Sequence, residues 1–183
     1  MAERRDNRDT KGCVHIYCGD GKGKTTAAVG LAVRAAGRGK RVLIARFLKT
    51  DDSGEVAVLA RIPGIRVMPC SRTFGFFWQM TEKEKGEAGE YYRQLFDQVW
   101  EEAVTGGADM VILDEIMAAC RHGLVSGDVL EERVRNRPPR LEVVLTGRDP
   151  WPEVTELADY VSEICKRKHP FDQGVGAREG IEW

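Results

Sequence analysis

Gly19-Asp20-Gly21-Lys22-Gly23-Lys24-Thr25-Thr26 sits directly after an apolar run, Val14-His15-Ile16-Tyr17-Cys18, and opens an alanine-rich stretch from Thr26 to Gly37. Strand, glycine-rich turn, Gly-Lys-Thr, helix is the order of a phosphate-binding loop. Glycines let backbone N–H groups crowd around phosphate oxygens, and a helix N-terminus adds partial positive charge. Gly19 to Thr26 are therefore the expected phosphate cradle. Lys24 is placed to neutralise the outer phosphates and the Thr25 hydroxyl to hold Mg²⁺. The stretch implies a nucleoside triphosphate site. One position departs from the usual spacing: Cys18 stands five residues before Gly23, where a glycine is usual. The chain offers Gly19 and Gly21 instead, with Lys22 as an additional cation. Such a loop is expected to hold phosphates differently from an ordinary hydrolase.

Outward from the loop, the bulk properties bound the rest. A chain of 183 residues is one domain with room for a sizeable core. Hydrophobic residues make up 42% and charged residues 31%, which suits a water-soluble globular protein. A net charge of −1 gives no electrostatic reason to expect nucleic acid as partner. Cys13, Cys18, Cys70, Cys120 and Cys165 are dispersed with no C-x-x-C pair, as expected of reduced thiols in a cytoplasmic enzyme. No stretch reads as a signal peptide or membrane span. Residues 1–12 are polar and charged and are expected to form a flexible arm ahead of a domain over 13–183.

Apolar runs alternate with helical patterns. Val14–Cys18, Arg41–Leu48, Ile65–Pro69, Asp109–Asp114, Leu141–Thr146 and Tyr160–Cys165 read as strands. Helices are expected over Thr26–Gly37, Gly54–Arg61, Glu82–Val104, Ser126–Asn136 and Pro152–Asp159. The alternation, with strands that are apolar throughout, predicts an α/β fold: a mostly parallel sheet of about six strands with helices on both faces. In Glu82–Val104 the apolar positions Ala88, Tyr91, Tyr92, Leu95, Phe96, Val99 and Ala103 keep helical spacing, so this helix should lie on the sheet.

Three further segments carry chemistry. Met110-Val111-Ile112-Leu113-Asp114-Glu115 is an apolar strand ending in acids, at the end where open parallel sheets bind ligands. Asp114 or Glu115 is expected to complete a Mg²⁺ shell begun by Thr25; the competing reading is that the pair only caps the next helix. Thr73-Phe74-Gly75-Phe76-Phe77-Trp78 sets four aromatics in six residues. Such rings either line an apolar pocket or anchor the loop in the core. The tail from Lys166 to Trp183 is basic, then punctuated by glycine, and is either a mobile terminus or a flap over a ligand. His169 reads as a hydrogen-bonding residue; His15 and His122 are not grouped with it, and zinc has no support.

Taken together, the loop motif, Gly75-Phe76-Phe77-Trp78, Leu113-Asp114-Glu115, Leu145-Thr146-Gly147-Arg148, Lys168-His169-Pro170-Phe171-Asp172 and Gly180-Ile181-Glu182-Trp183 resemble, in that order, the P-loop type of ATP:corrinoid adenosyltransferases. The resemblance covers essentially Val14 to Trp183 and implies a RecA-like single domain. It implies that ATP and a corrinoid reduced to Co(I) are substrates, either cob(I)yrinic acid a,c-diamide or cob(I)alamin. It also implies that triphosphate is released, with Mg²⁺ (or Mn²⁺) as cofactor. By the resemblance, Lys22 and Lys24 act in catalysis and Thr25 and Glu115, with Asp114 nearby, hold the metal. Phe76 and Trp78 contact the corrinoid and keep a lower axial ligand off cobalt. A flavoprotein reductant and a homodimer follow from the same likeness. Two departures stand out: Asp20 where asparagine is common, and Phe77 where a smaller polar residue is common. The alternatives on the same scaffold are a RecA-like ATPase or small-molecule kinase, and a non-catalytic nucleotide- or corrinoid-binding module.

Overall fold

A run such as Met110-Val111-Ile112-Leu113 leaves no side for water, so a sheet built from such runs must be covered on both faces. The computed structural model describes residues 11–72, 74–75 and 77–182. Its strands are β1 (Val14–Cys18), β2 (Val42–Arg46), β3 (Ile65–Val67), β4 (Met110–Asp114), β5 (Glu142–Thr146) and β6 (Tyr160–Glu163). Its helices are α1 (Lys24–Ala36), α2 (Gly54–Leu59), α3 (Glu82–Thr105), α4 (Ile116–Arg121), α5 (Gly127–Arg135) and α6 (Pro152–Glu156). Short 3₁₀ turns lie at Phe77–Gln79 and Pro170–Gln173. Residues 1–10 of the expected arm, with Thr73, Phe76 and Trp183, lie outside the described residues.

The strands form one sheet in the order β3-β2-β4-β5-β1-β6, and every pairing is parallel. The expectation was mostly parallel; the observed sheet is wholly so. Val14, Ile16, Leu43, Ala45, Val111, Leu113, Val143 and Leu145 face one core. The buried stripe of α3 joins them there: Ala88, Tyr92, Leu95, Phe96, Val99 and Ala103. A Thr81–Glu84 capping box fixes where that helix begins. On the other face Ala28, Ala32 and Ala35 of α1 meet Val42, Ile44, Met110, Ile112 and Val144. The alanines explain themselves: short side chains bring α1, and the loop before it, close to the sheet. β6 is an edge strand exposed along its length.

The strands are shorter than the apolar runs suggested. β2 ends at Arg46 rather than Leu48 because Leu48 turns the chain with φ 57°. β3 ends at Val67, ahead of Pro69, which has no N–H to give a ladder. The register pairs Arg46 with Asp114 and Tyr17 with Thr146, so the carboxyl ends of β1, β2, β4 and β5 come level on one edge.

Candidate functional site

The glycine-rich loop runs along that edge. Gly19 has φ 100°, and a Cβ there would lie 2.6 Å from the Ile164 carbonyl oxygen. The Gly21 N–H donates to that same oxygen at 2.7 Å. Gly23 turns into α1 with φ 121°, and no side chain caps the helix, so its first-turn donors are not claimed by a cap. The glycines thus let the loop close on the chain beyond β6 and aim the N-terminus of α1 outward.

Lys24 is buried, and its Nζ donates to the carbonyls of Gly19 and Gly21 at 2.8 and 2.9 Å. Burial pushes its pKa down, with Glu115 opposing. Lys22 is exposed and donates to the Ile181 carbonyl at 2.9 Å. Asp20 borders the cavity, and its carboxylate accepts the Lys166 N–H at 2.7 Å, which holds its pKa below the ordinary carboxylate value.

Asp114, at the end of β4, is 2% exposed. It accepts from Thr25 Oγ1 at 3.0 Å, from Thr146 Oγ1 at 2.6 Å and from Lys49 Nζ at 2.6 Å. Lys49 Nζ also reaches Thr25 Oγ1 at 2.7 Å. Glu115 occupies the N-cap position of α4 in the left-handed region, φ 60°, yet its side chain makes no capping bond. Instead it borders the cavity, and its N–H donates to Thr146 Oγ1 at 2.9 Å. The Glu115 side chain therefore does not cap α4. A non-glycine residue in that conformation is held by its surroundings and is commoner at functional sites.

The cavity, about 1270 Å³, opens over Gly21 to Thr26, Lys49, Glu115 and Arg148 on one side. Phe74, Gly75 and Tyr92 border another part, and Gly180, Ile181 and Glu182 of the tail border a third. The aromatic segment divides its roles. Phe74 packs against Tyr91 and Tyr92, centroids 5.6 and 5.8 Å away, with the Arg72 guanidinium 4.8 Å from its ring. Phe77 stacks on His122 at 4.2 Å and touches the core, so the unusual phenylalanine anchors the 3₁₀ turn. Trp78, in the same turn, is 73% exposed. Phe76 is not among the described residues. The tail is folded against the loop: Arg178 clasps Glu182, and that clasp holds the glutamate pKa down at about 2. His169 accepts the Phe171 N–H through Nδ1 at 3.2 Å, the hydrogen-bonding role expected of it. All five cysteines are free thiols.

Motif reading gave no role to Lys49 or Arg46, and quoted Thr146 only within Leu145-Thr146-Gly147-Arg148. The signal was present: each lies at or just past the carboxyl end of a parallel strand, where such sheets place ligands.

An all-parallel sheet with Gly-Lys-Thr beyond β1 and a buried aspartate ending β4 defines the P-loop class of α/β proteins. Within that class the family model for ATP:corrinoid adenosyltransferase BtuR/CobO/CobP matches residues 10–183, and the chain belongs to this family. It is 34% identical over 177 residues to the corrinoid adenosyltransferase of Escherichia coli (strain K12), covering 96% of this chain and 88% of the relative. It is 33% identical to the corrinoid adenosyltransferase of Pseudomonas aeruginosa, covering 96% and 86%. It is also 33% identical to corrinoid adenosyltransferase CobA of Salmonella typhimurium, covering 96% and 88%.

Proposed function

We propose that this chain transfers the 5′-deoxyadenosyl group of ATP to the Co(I) centre of a corrinoid and releases inorganic triphosphate. The observation that carries the reading is a cavity bordered at once by the phosphate loop, Glu115, Phe74 with Gly75, and the tail. A loop for triphosphate alone would not need so large a space with aromatic walls. In the step, the Co(I) electron pair attacks C5′, the cobalt–carbon bond forms, the C5′–O5′ bond breaks, and its electrons leave with the triphosphate. Co(I) is itself the nucleophile, so no general base is required. What the protein must supply is alignment and stabilisation of leaving-group charge.

Lys24 suits the second of these roles, because it is desolvated at the loop and held by two backbone carbonyls that phosphate oxygens can replace as partners. Lys22 joins it once released from the tail. Thr25, Asp114 and Glu115 present only oxygen donors, which fits a hard cation such as Mg²⁺ or Mn²⁺. Such an ion, bound there, would supply charge neutralisation to the leaving triphosphate. Trp78, with Phe76 outside the described residues, is assigned to the corrinoid, supported by its exposure beside the anchored Phe77. The corrinoid is a precursor diamide or complete cobalamin. A flavoprotein reductant, a homodimeric state and a cytoplasmic setting complete the reading by family likeness. No helix among the described residues is long and apolar enough to cross a membrane.

The test is anaerobic incubation with ATP, Mg²⁺ and chemically reduced corrinoid. An adenosylcorrinoid spectrum with stoichiometric triphosphate is expected. ADP with orthophosphate as the primary products would assign the chain to phosphoryl transfer instead.

A further inference from the structure

Lys49 holds a place that two cations cannot share. Its Nζ lies 2.7 Å from Thr25 Oγ1 and 2.6 Å from Asp114 Oδ2. Those oxygens belong to the donor set assigned above to Mg²⁺, which binds its ligands at about 2.0–2.1 Å. An ion on both oxygens would press against the ammonium, so one cation must leave before the other enters.

The backbone around Lys49 is held by its neighbours, and its side chain is held only through its ammonium. Leu48 turns the chain with φ 57°. Arg46, only 2% exposed, donates to the Thr50 carbonyl at 2.6 Å and pairs with the Asp51 carboxylate. Asp51 in turn accepts the Cys70 N–H at 2.8 Å, tying the loop to the chain beyond β3. A buried guanidinium is thus committed to the shape of this one loop, although its Nε finds no partner among the described residues. On that anchored backbone Lys49 carries a four-carbon stem that can turn, and it borders the same cavity as Lys24 and Glu115.

We infer that Lys49 is an exchangeable counter-ion of the metal seat. In the nucleotide-free protein its ammonium neutralises Asp114 and blocks the divalent cation. When metal and ATP arrive together, it swings from Asp114 and Thr25 onto a triphosphate oxygen. With Lys49 seated, Asp114 already has three donors, so a free divalent ion gains little there. With ATP present, the phosphates offer the ammonium a new partner and the ion extra ligands. Lys49 thereby makes metal binding conditional on nucleotide. The inference rests on the reading of Thr25 and Asp114 as metal ligands.

The experiment titrates Mn²⁺ into wild type, Lys49→Met, Lys49→Gln and Asp114→Asn, with and without ATP, and follows bound Mn²⁺ by electron paramagnetic resonance. Without nucleotide, Lys49→Met should bind Mn²⁺ about tenfold or more tightly than wild type, while its ATP affinity should weaken by a similar factor. Lys49→Gln keeps a donor beside Asp114 and should give the same pattern even if the methionine variant does not fold. A purely structural role for Lys49 would not tighten Mn²⁺ binding in any variant. Equal Mn²⁺ affinity in wild type and both Lys49 variants overturns the inference and leaves the metal reading standing. An Asp114→Asn protein that still holds Mn²⁺–ATP as wild type does overturns the metal reading, and the inference with it.

Discussion

At the scale of single residues, the loop lysines differ in what the folded chain does with them. Lys24 is buried at the loop, where burial disfavours its ammonium and two backbone carbonyls offset part of that cost. Under the proposed function its presence answers to the triphosphate. Lys24→Ala should therefore lower turnover by about 10²-fold or more, roughly 3 kcal/mol of transition-state stabilisation, while the melting temperature stays near that of wild type. A turnover number close to wild type would remove Lys24 from the mechanism. Lys22 is exposed and already engaged with the Ile181 carbonyl, so Lys22→Ala should cost less in rate than Lys24→Ala in the same assay. The Gly-Lys-Thr triplet made Lys24 and Thr25 legible from sequence. The contacts of Lys49 and Thr146 with Asp114 were not, because they form only through strand register.

At the scale of elements, the aromatic segment and the tail were ambiguous in sequence for a physical reason. A ring-rich loop reads the same whether its rings anchor or display, and a glycine-punctuated tail the same whether folded or loose. The structure separates them. Phe77 is stacked and partly buried, so Phe77→Ala should lower stability by roughly 1 kcal/mol or more, seen as an earlier urea midpoint. Trp78 is mostly exposed, so Trp78→Ala should leave the midpoint within about 0.5 kcal/mol of wild type. Its loss should instead appear with Co(II) corrinoid and a mild reductant, and largely vanish when Co(I) is supplied ready-made. Equal losses from both starting states would confine Trp78 to shaping the pocket.

The tail carries its own pH dependence. Glu182 sits at about 2, below its ordinary 4.5, through hydrogen bonds from the Arg178 side chain and N–H. A depressed carboxyl stabilises the fold above its unfolded pKa and loses that contribution as pH falls through the folded value. Amide exchange in 174–182 should therefore quicken, relative to the sheet, between about pH 4.5 and about 2. A tail whose relative protection is flat over that window would mean that the clasp does not hold it.

At the scale of the whole molecule, the alternation of apolar runs with helices was enough to read a parallel sheet, because strands buried on both faces must be apolar throughout. Strand order was not readable: β4 and β5 lie between β1 and β2, a consequence of packing that no single segment records. That order has an energetic consequence. The site joins the loop after β1, Lys49 after β2, Asp114 at the end of β4, Thr146 at the end of β5 and the tail beyond β6. A ligand held by all of them is lost only when the sheet itself comes apart, so its binding free energy should add to global stability. At about one hundred times its dissociation constant, ATP with Mg²⁺ contributes roughly 2.7 kcal/mol. For a chain of this size that converts to a rise of roughly 5–11 °C in melting temperature. The measurement is a thermal scan with and without Mg–ATP at that excess, repeated on Lys24→Ala at the same concentrations, where the rise should largely disappear. A wild type that binds ATP yet melts at an unchanged temperature, with only the tail gaining protection from protease, would mean that the loop and tail open without the sheet, and that the site is local rather than shared by the fold.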